Sequence, residues 1–229
     1  LRLLFLALLL PLAAQTALAQ GLYWEATTSF AGMGTQERHS KVYYMQNMYK
    51  ETSDLGNEIS IIRMDKKLFL TVNTKEKTYT EMTFAEMEGA MKHAGRAMNE
   101  KMAIMQEKLK EMPEEQRKMV EKMMGNAMTS AGGGTPSVEV RKGTEKKAIG
   151  GFSCTKHVIL SEGKELCTIW TTKEVEGIDR MSGELKGFLS RIAETIPMNG
   201  KALAEGYKGV EGFPMKTEMA VFTRTVTKV

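Results

Sequence analysis

The sequence predicts an α+β protein: an antiparallel β-meander with an inserted methionine-rich helical hairpin and a C-terminal helix. Three observations predict it. From Leu22, large apolar residues alternate with polar ones; at Phe84 the period lengthens to that of a helix; and at Val138 the alternation returns. With 42% hydrophobic and 26% charged residues, the 229-residue chain has a globular composition, which excludes collagen-like, extensively disordered and polytopic membrane classes. A net charge of +4 is too small an excess for a nucleic-acid footprint.

Residues 1–19 read as a signal peptide: Arg2, the apolar run Leu3–Leu10, Pro11, and the small-residue end Ala17-Leu18-Ala19. Cleavage there would leave 20–229 as one exported, soluble domain, periplasmic or secreted. The unbroken apolar run is too short for a membrane-spanning helix, which needs about 20 residues. Leu22, Trp24, Ala26, Thr28 and Phe30 share one face of a first strand. Further strands are expected at Lys41–Lys50, Glu58–Met64, Lys67–Asn73 and Thr78–Met82, linked by turn-forming Asp, Asn, Ser and Gly.

The insertion is expected over 84–129. Met87, Met91, Ala94, Met98, Met102, Met105, Leu109 and Met112 recur every three or four residues, an amphipathic pattern. Pro113 followed by Glu114 and Glu115 signals the start of a second helix carrying Met119, Met123 and Met124. Residues 130–136, with three consecutive glycines, read as a linker. Strands then follow at Val138–Arg141, Lys146–Ile149, Phe152–Leu160 and Lys164–Thr172. A helix is expected over Met181–Thr195, with Leu185, Phe188, Leu189 and Ile192 on one stripe. Met215–Val226 is read as the last strand.

Little in the chain invites catalysis or cofactor binding. His39, His93 and His157 lack metal-ligand spacing, and no nucleophile-elbow, Walker or dinucleotide motif occurs. The expectation is a protein that is not an enzyme and holds no cofactor or metal. Cys154 and Cys167 leave a disulfide open. An oxidising compartment favours it, whereas a hairpin turning at Glu162-Gly163 puts the two on one face but about 13 Å apart. The methionine stripe admits three readings: a helix core, an adaptable surface for varied apolar partners, or thioether ligation of Cu(I) by pairs such as Met87/Met91, Met98/Met102 and Met119/Met123.

An exported meander with a Met-rich insertion, then Gly150-Gly151-Phe152-Ser153-Cys154, Ile169-Trp170 and Gly212-Phe213-Pro214-Met215-Lys216-Thr217, resembles the bacterial DUF4412 group of uncharacterised envelope proteins. That group is similar in architecture to LolA/LolB-like half-barrels, some of which carry lipoproteins. The resemblance implies a curved antiparallel half-barrel whose sheet wraps partly round helices and keeps an apolar concave face. The expected function is non-catalytic binding of an apolar small molecule, lipid or lipidated protein, with transient membrane contact and no nucleic acid. The expected ligand face comprises Leu22, Trp24, Ala26 and Phe30 of the first strand, Leu68, Leu70 and Val72 of the fourth, and Leu166 and Trp170 of the late hairpin. The alternative is a stress-related, chaperone-like protein acting through the hairpin.

Overall fold

Among the described residues, eleven strands form one open, wholly antiparallel sheet. They are β1 (Leu22–Phe30), β2 (Glu37–Met45), β3 (Met48–Ser53), β4 (Glu58–Arg63), β5 (Leu68–Asn73), β6 (Thr78–Thr83), β7 (Val138–Ile149), β8 (Phe152–Ser161), β9 (Lys164–Thr172), β10 (Phe213–Met219) and β11 (Phe222–Lys228). The order across the sheet is β6-β5-β4-β3-β2-β1-β11-β10-β9-β8-β7. Helix α1 (Phe84–Lys110) follows edge strand β6, and helix α2 (Gly200–Lys208) precedes β10. This computed structural model describes residues 21–31, 36–110, 112–114, 137–176, 183, 187 and 200–229. The expected leader, most of the second hairpin helix, the glycine linker and the stripe Leu185, Phe188, Leu189 and Ile192 lie outside the described residues.

Three strand boundaries differ from the sequence reading. The expected strand Lys41–Lys50 is two strands, because Asn47 takes a left-handed backbone (φ 62°) in a two-residue turn that pairs Met45 with Met48. Asn tolerates that region better than most residues. Met215–Val226 likewise splits into β10 and β11. Conversely, the two strands expected at Val138–Arg141 and Lys146–Ile149 are one, β7, interrupted by a bulge between Lys142 and Lys146.

Helix α1 starts on a reciprocal cap. The Thr83 backbone N–H donates to Glu86 Oε2 at 2.7 Å, and the Glu86 N–H donates to Thr83 Oγ1 at 3.1 Å. Its first residue, Phe84, is buried with Ile62 against Tyr49, Met64, Phe69 and Met87. The helix runs to Lys110, and Pro113 lies just beyond it. Helix α2 lies on β7 and β8 through small residues; an added Cβ at Gly206 would collide with Ile159.

The sheet bends. Gly150, in the β7–β8 turn, lies so near β11 that a Cβ there would sit 3.3 Å from the Val226 carbonyl oxygen and 3.0 Å from Met215 Cε. In a flat sheet β8 and β11 would be three spacings apart, about 14 Å. Gly150 also has φ 57°, so both its backbone and its surroundings demand glycine. The main core accordingly gathers Trp24, Ala26, Val42 and Tyr44 with Ile149, Cys154, Trp170, Phe213, Met215 and Val226.

Candidate functional site

The ladder from β1 to β6 aligns one apolar row across six strands: Leu22 faces Tyr44, Tyr44 faces Tyr49, Tyr49 faces Ile62, Ile62 faces Phe69, and Phe69 faces Met82. Cross-strand partners share a face, so these six side chains form a continuous strip. It starts at the Trp24 core and ends on edge strand β6. Tyr44 and Ile62 are buried, whereas Leu22, Tyr49, Phe69 and Met82 are half-buried. Trp24 extends the strip towards the sheet centre, with its ring 6.0 Å from that of Tyr49 and 5.4 Å edge-on from that of Phe213.

Farther along the strands, the same face becomes polar. Trp24 faces Val42, Val42 faces Glu51, and Glu51 faces Ser60; beyond these come Ser40 opposite Ser53, and Arg38 opposite Thr28. Across the seam, Thr28 also faces Arg224. Glu51 and Arg224 lie on strands separated by β2 and β1, about 14 Å apart in a flat sheet. Yet Arg224 Nη1 donates to Glu51 Oε1 at 3.0 Å. The inward residues between them are small and buried: Ala26 at 1% exposure and Ser40 at 2%. Two long side chains therefore cross over a low floor, and the sheet curves towards this face. Tyr49 completes the crossing, its hydroxyl donating to Glu51 Oε2 at 2.7 Å. Burial alone would raise the Glu51 pKa, but Arg224 and the Tyr49 hydroxyl outweigh it and hold the carboxyl below its usual range. Arg38 shares the face, its Nε donating to Ser53 Oγ at 2.9 Å.

The expected ligand residues separate into groups. Leu22, Trp24 and Ala26 lie on this inner face, and Phe30 follows at its polar end, opposite Phe222. Leu68, Leu70 and Val72 do not join them. Leu68 faces Arg63 while Ile62 faces Phe69, so the three point to the opposite face, beside Ile61 and Ile59. Leu166 is the extra residue of a bulge on β9 and packs with Ile159, Cys167 and Ile169, beneath α2. Trp170 is 5% exposed and closed off by polar groups: its Nε1 donates to Glu218 Oε2 at 3.1 Å, and the amines of Lys147 and Lys156 each lie 5.8 Å from its ring. Tyr44, Tyr49, Ile62, Phe69 and Met82 were not anticipated. Their signal is alternation within each short strand, which becomes legible once the Asn47 turn sets the phase of β3.

Cys154 and Cys167 are free thiols in different clusters. The bulge pairs Cys167 with Ile159, five residues from Cys154, so the two cysteines face opposite sides of the sheet rather than sharing one. Burial pushes the Cys167 thiol up to about 12 and raises Cys154 as well, keeping both protonated at neutral pH. His157 lines a polar pocket of about 430 Å³ with Lys142, Lys146, Thr155, Thr171 and Glu174. Its Nδ1 is buried without a hydrogen-bond partner among the described residues. Burial and the charge of Lys142 lower its pKa, and Glu211 opposes this only in part. Among the described residues, no three His, Cys, Asp or Glu side chains are gathered as a metal-binding group. Of the methionine pairs, Met87 and Met91 are half-buried on α1, while the side chains of Met98, Met102, Met119 and Met123 lie outside the described residues.

Fold and site define a class: an open antiparallel-sheet protein whose inner face grades from apolar to charged. No family model and no curated protein matches the sequence. Among solved structures, one described as "Structure of PNGF-II in C2 space group" is similar at 11% identity and a TM-score of 0.35, over 92% of this chain and 27% of that one. The chain thus spans about a quarter of that structure's length, and a likeness of this size carries no argument.

Proposed function

We propose that this is an exported, non-catalytic binding protein that holds the apolar chain of a lipid or lipidated protein along the inner sheet face. The observation that carries the reading is the apolar row from Leu22 to Met82, which runs from the main core past Phe84 to edge strand β6 and has four of its six members half-buried. Apolar surface arranged this way, beside a few placed polar groups, is the usual make-up of an apolar-ligand site. An open, bending antiparallel sheet is also the frame that a half-barrel of the LolA/LolB kind would need, and the leader-like 1–19 supports export.

The test uses delipidated protein and a fluorescent fatty acid. Saturable binding is expected, and Phe69→Glu should weaken it tenfold or more, about 1.4 kcal/mol, by placing a charge in the row. Leu70→Glu, on the opposite face, should leave affinity within about twofold, a difference under 0.5 kcal/mol. The reverse order would move the site to the outer face, and no saturable binding would refute the reading. The intact mass of protein recovered after export should correspond to a chain beginning at Gln20.

A second reading has its own observation. Ile104, Met105 and Met112, at and just beyond the end of α1, are 57%, 42% and 39% exposed. A flexible methionine surface suits varied apolar partners, as a chaperone-like role requires. Deleting 84–129 separates the two: loss of client protection with fatty-acid binding intact assigns the partner role to the insertion.

A further inference from the structure

Where the apolar row gives way to polar residues, the inner face carries two arginines, Arg38 and Arg224, and two glutamates, Glu51 and Glu58. Arg38 on β2 and Arg224 on β11 both face Thr28, which lies between them on β1. Their backbones are two strand spacings apart, about 10 Å, so a small anion above Thr28 is within reach of both guanidiniums. Glu51 meets Arg224 at 3.0 Å, whereas Arg38 pairs with no carboxylate among the described residues and donates instead to Ser53 Oγ. The Glu51 side chain is 14% exposed and that of Arg224 29%, so the charges interact in a medium where pairing matters more than in bulk water. Hydroxyls of Thr28, Ser53 and Thr217 share the face and can donate to an anion. The apolar row lies six residues farther along β1 at Leu22, about 20 Å away, the scale of a long acyl chain.

Resting on the apolar-chain reading above, we propose that the ligand is a single-chain amphiphile whose anionic headgroup, carboxylate or phosphate, is received between Arg38 and Arg224, in competition with the carboxylate of Glu51. Guanidinium suits both head chemistries, since its planar fork matches two oxygens at once. The Glu51 side chain, reaching Arg224 across two intervening strands, makes the same contact that the headgroup would make. Binding then exchanges one carboxylate for another anion and leaves no unpaired guanidinium in the bend of the sheet.

The experiment displaces a fluorescent acyl probe from the delipidated protein with palmitate, palmitoyl lysophosphatidate or hexadecanol. Both anions are expected to compete at least tenfold better than the alcohol, as a charge-assisted hydrogen bond implies. Their order relative to each other tells a carboxylate head from a phosphate head. Arg224→Gln should reduce the ratio of anion to alcohol affinity to near one while hexadecanol still binds. Glu51→Gln removes the competitor and should strengthen palmitate binding several-fold. The double variant Glu51→Gln/Arg224→Gln leaves no lone charge behind and serves if Arg224→Gln fails to fold; it too should lose the preference for anions. Equal affinity for palmitate and hexadecanol in the unaltered protein would overturn the headgroup site and leave the apolar reading standing. An anion preference that persists in both arginine variants would do the same. Failure of all three ligands to displace the probe would sink the apolar reading and the headgroup site together.

Discussion

Gly206 sits where α2 crosses β8, and an added methyl group there would run into the Ile159 side chain. Gly206→Ala is expected to cost about 1–3 kcal/mol, as overpacking of a tight contact does, measured by urea denaturation. His157 bears on pH instead. Its pKa is lower in the folded protein than in the unfolded chain, so folding favours the neutral ring. Its contribution is fully present above the ordinary imidazole value of about 6.5 and declines as pH falls through the folded value. Thermal melts should show a loss of stability on acidification that is smaller in His157→Gln. Glu51 and Arg224 illustrate what a single sequence conceals at this scale. Each is a charged residue at the inward phase of its strand, a conflict visible in principle. The ion pair itself, however, depends on a bend that brings β3 and β11 together, and no local pattern encodes that bend.

In the elements, periodicity was informative and punctuation less so. The 3.6-residue recurrence from Met87 foretells α1, and Pro113 follows its end. The recurrence alone makes the stripe one surface, yet Leu109 is 3% exposed while Met105, on the same stripe, is 42% exposed. A helix leaving a sheet edge covers its apolar face unevenly, because only part of it meets a partner. Leu109→Asp should therefore cost several kcal/mol, the penalty of an unpaired charge in an apolar contact. Ile104→Asp, at a position 57% exposed, should stay within about 1 kcal/mol. Chemical denaturation of the two variants compares them directly, and equal losses would mean that Ile104 is covered. Strands were legible from alternation, but their relative phase was not. The sequence alone puts Leu22 and Leu68 on equivalent faces, whereas the four-residue turn at 64–67 sends them to opposite ones. Phase is a property of turns, and turns such as Gln46-Asn47 carry too few residues to announce themselves.

For the whole molecule, the antiparallel meander was legible because successive strands pair with their neighbours, while the order of its two halves was not. Strands β1 to β6 and β7 to β11 are each simple zigzags, and what joins them is the pairing of the earliest strand with the last. Glu25 lies beside Lys228 at that seam, about 200 residues apart in the chain. Each half can therefore assemble from local contacts as soon as it is made, whereas the centre of the sheet must wait for the final strand. Closing so long a loop is the slow kind of step in folding. The topology also shows how to remove it. Taken cyclically, the order runs β7 through β11 and then β1 through β6, one uninterrupted zigzag. A circular permutant that begins at Ser137, joins Val229 to Gly21 through a short linker and ends at Lys110 would turn the seam into an ordinary hairpin. Stopped-flow refolding of that permutant should be faster than that of the natural order, with the row from Leu22 to Met82 and the fatty-acid binding proposed for it unchanged. In the natural order, an apolar face is complete on one half before the other half can dock, so the growing chain depends on whatever shields that face until β11 arrives.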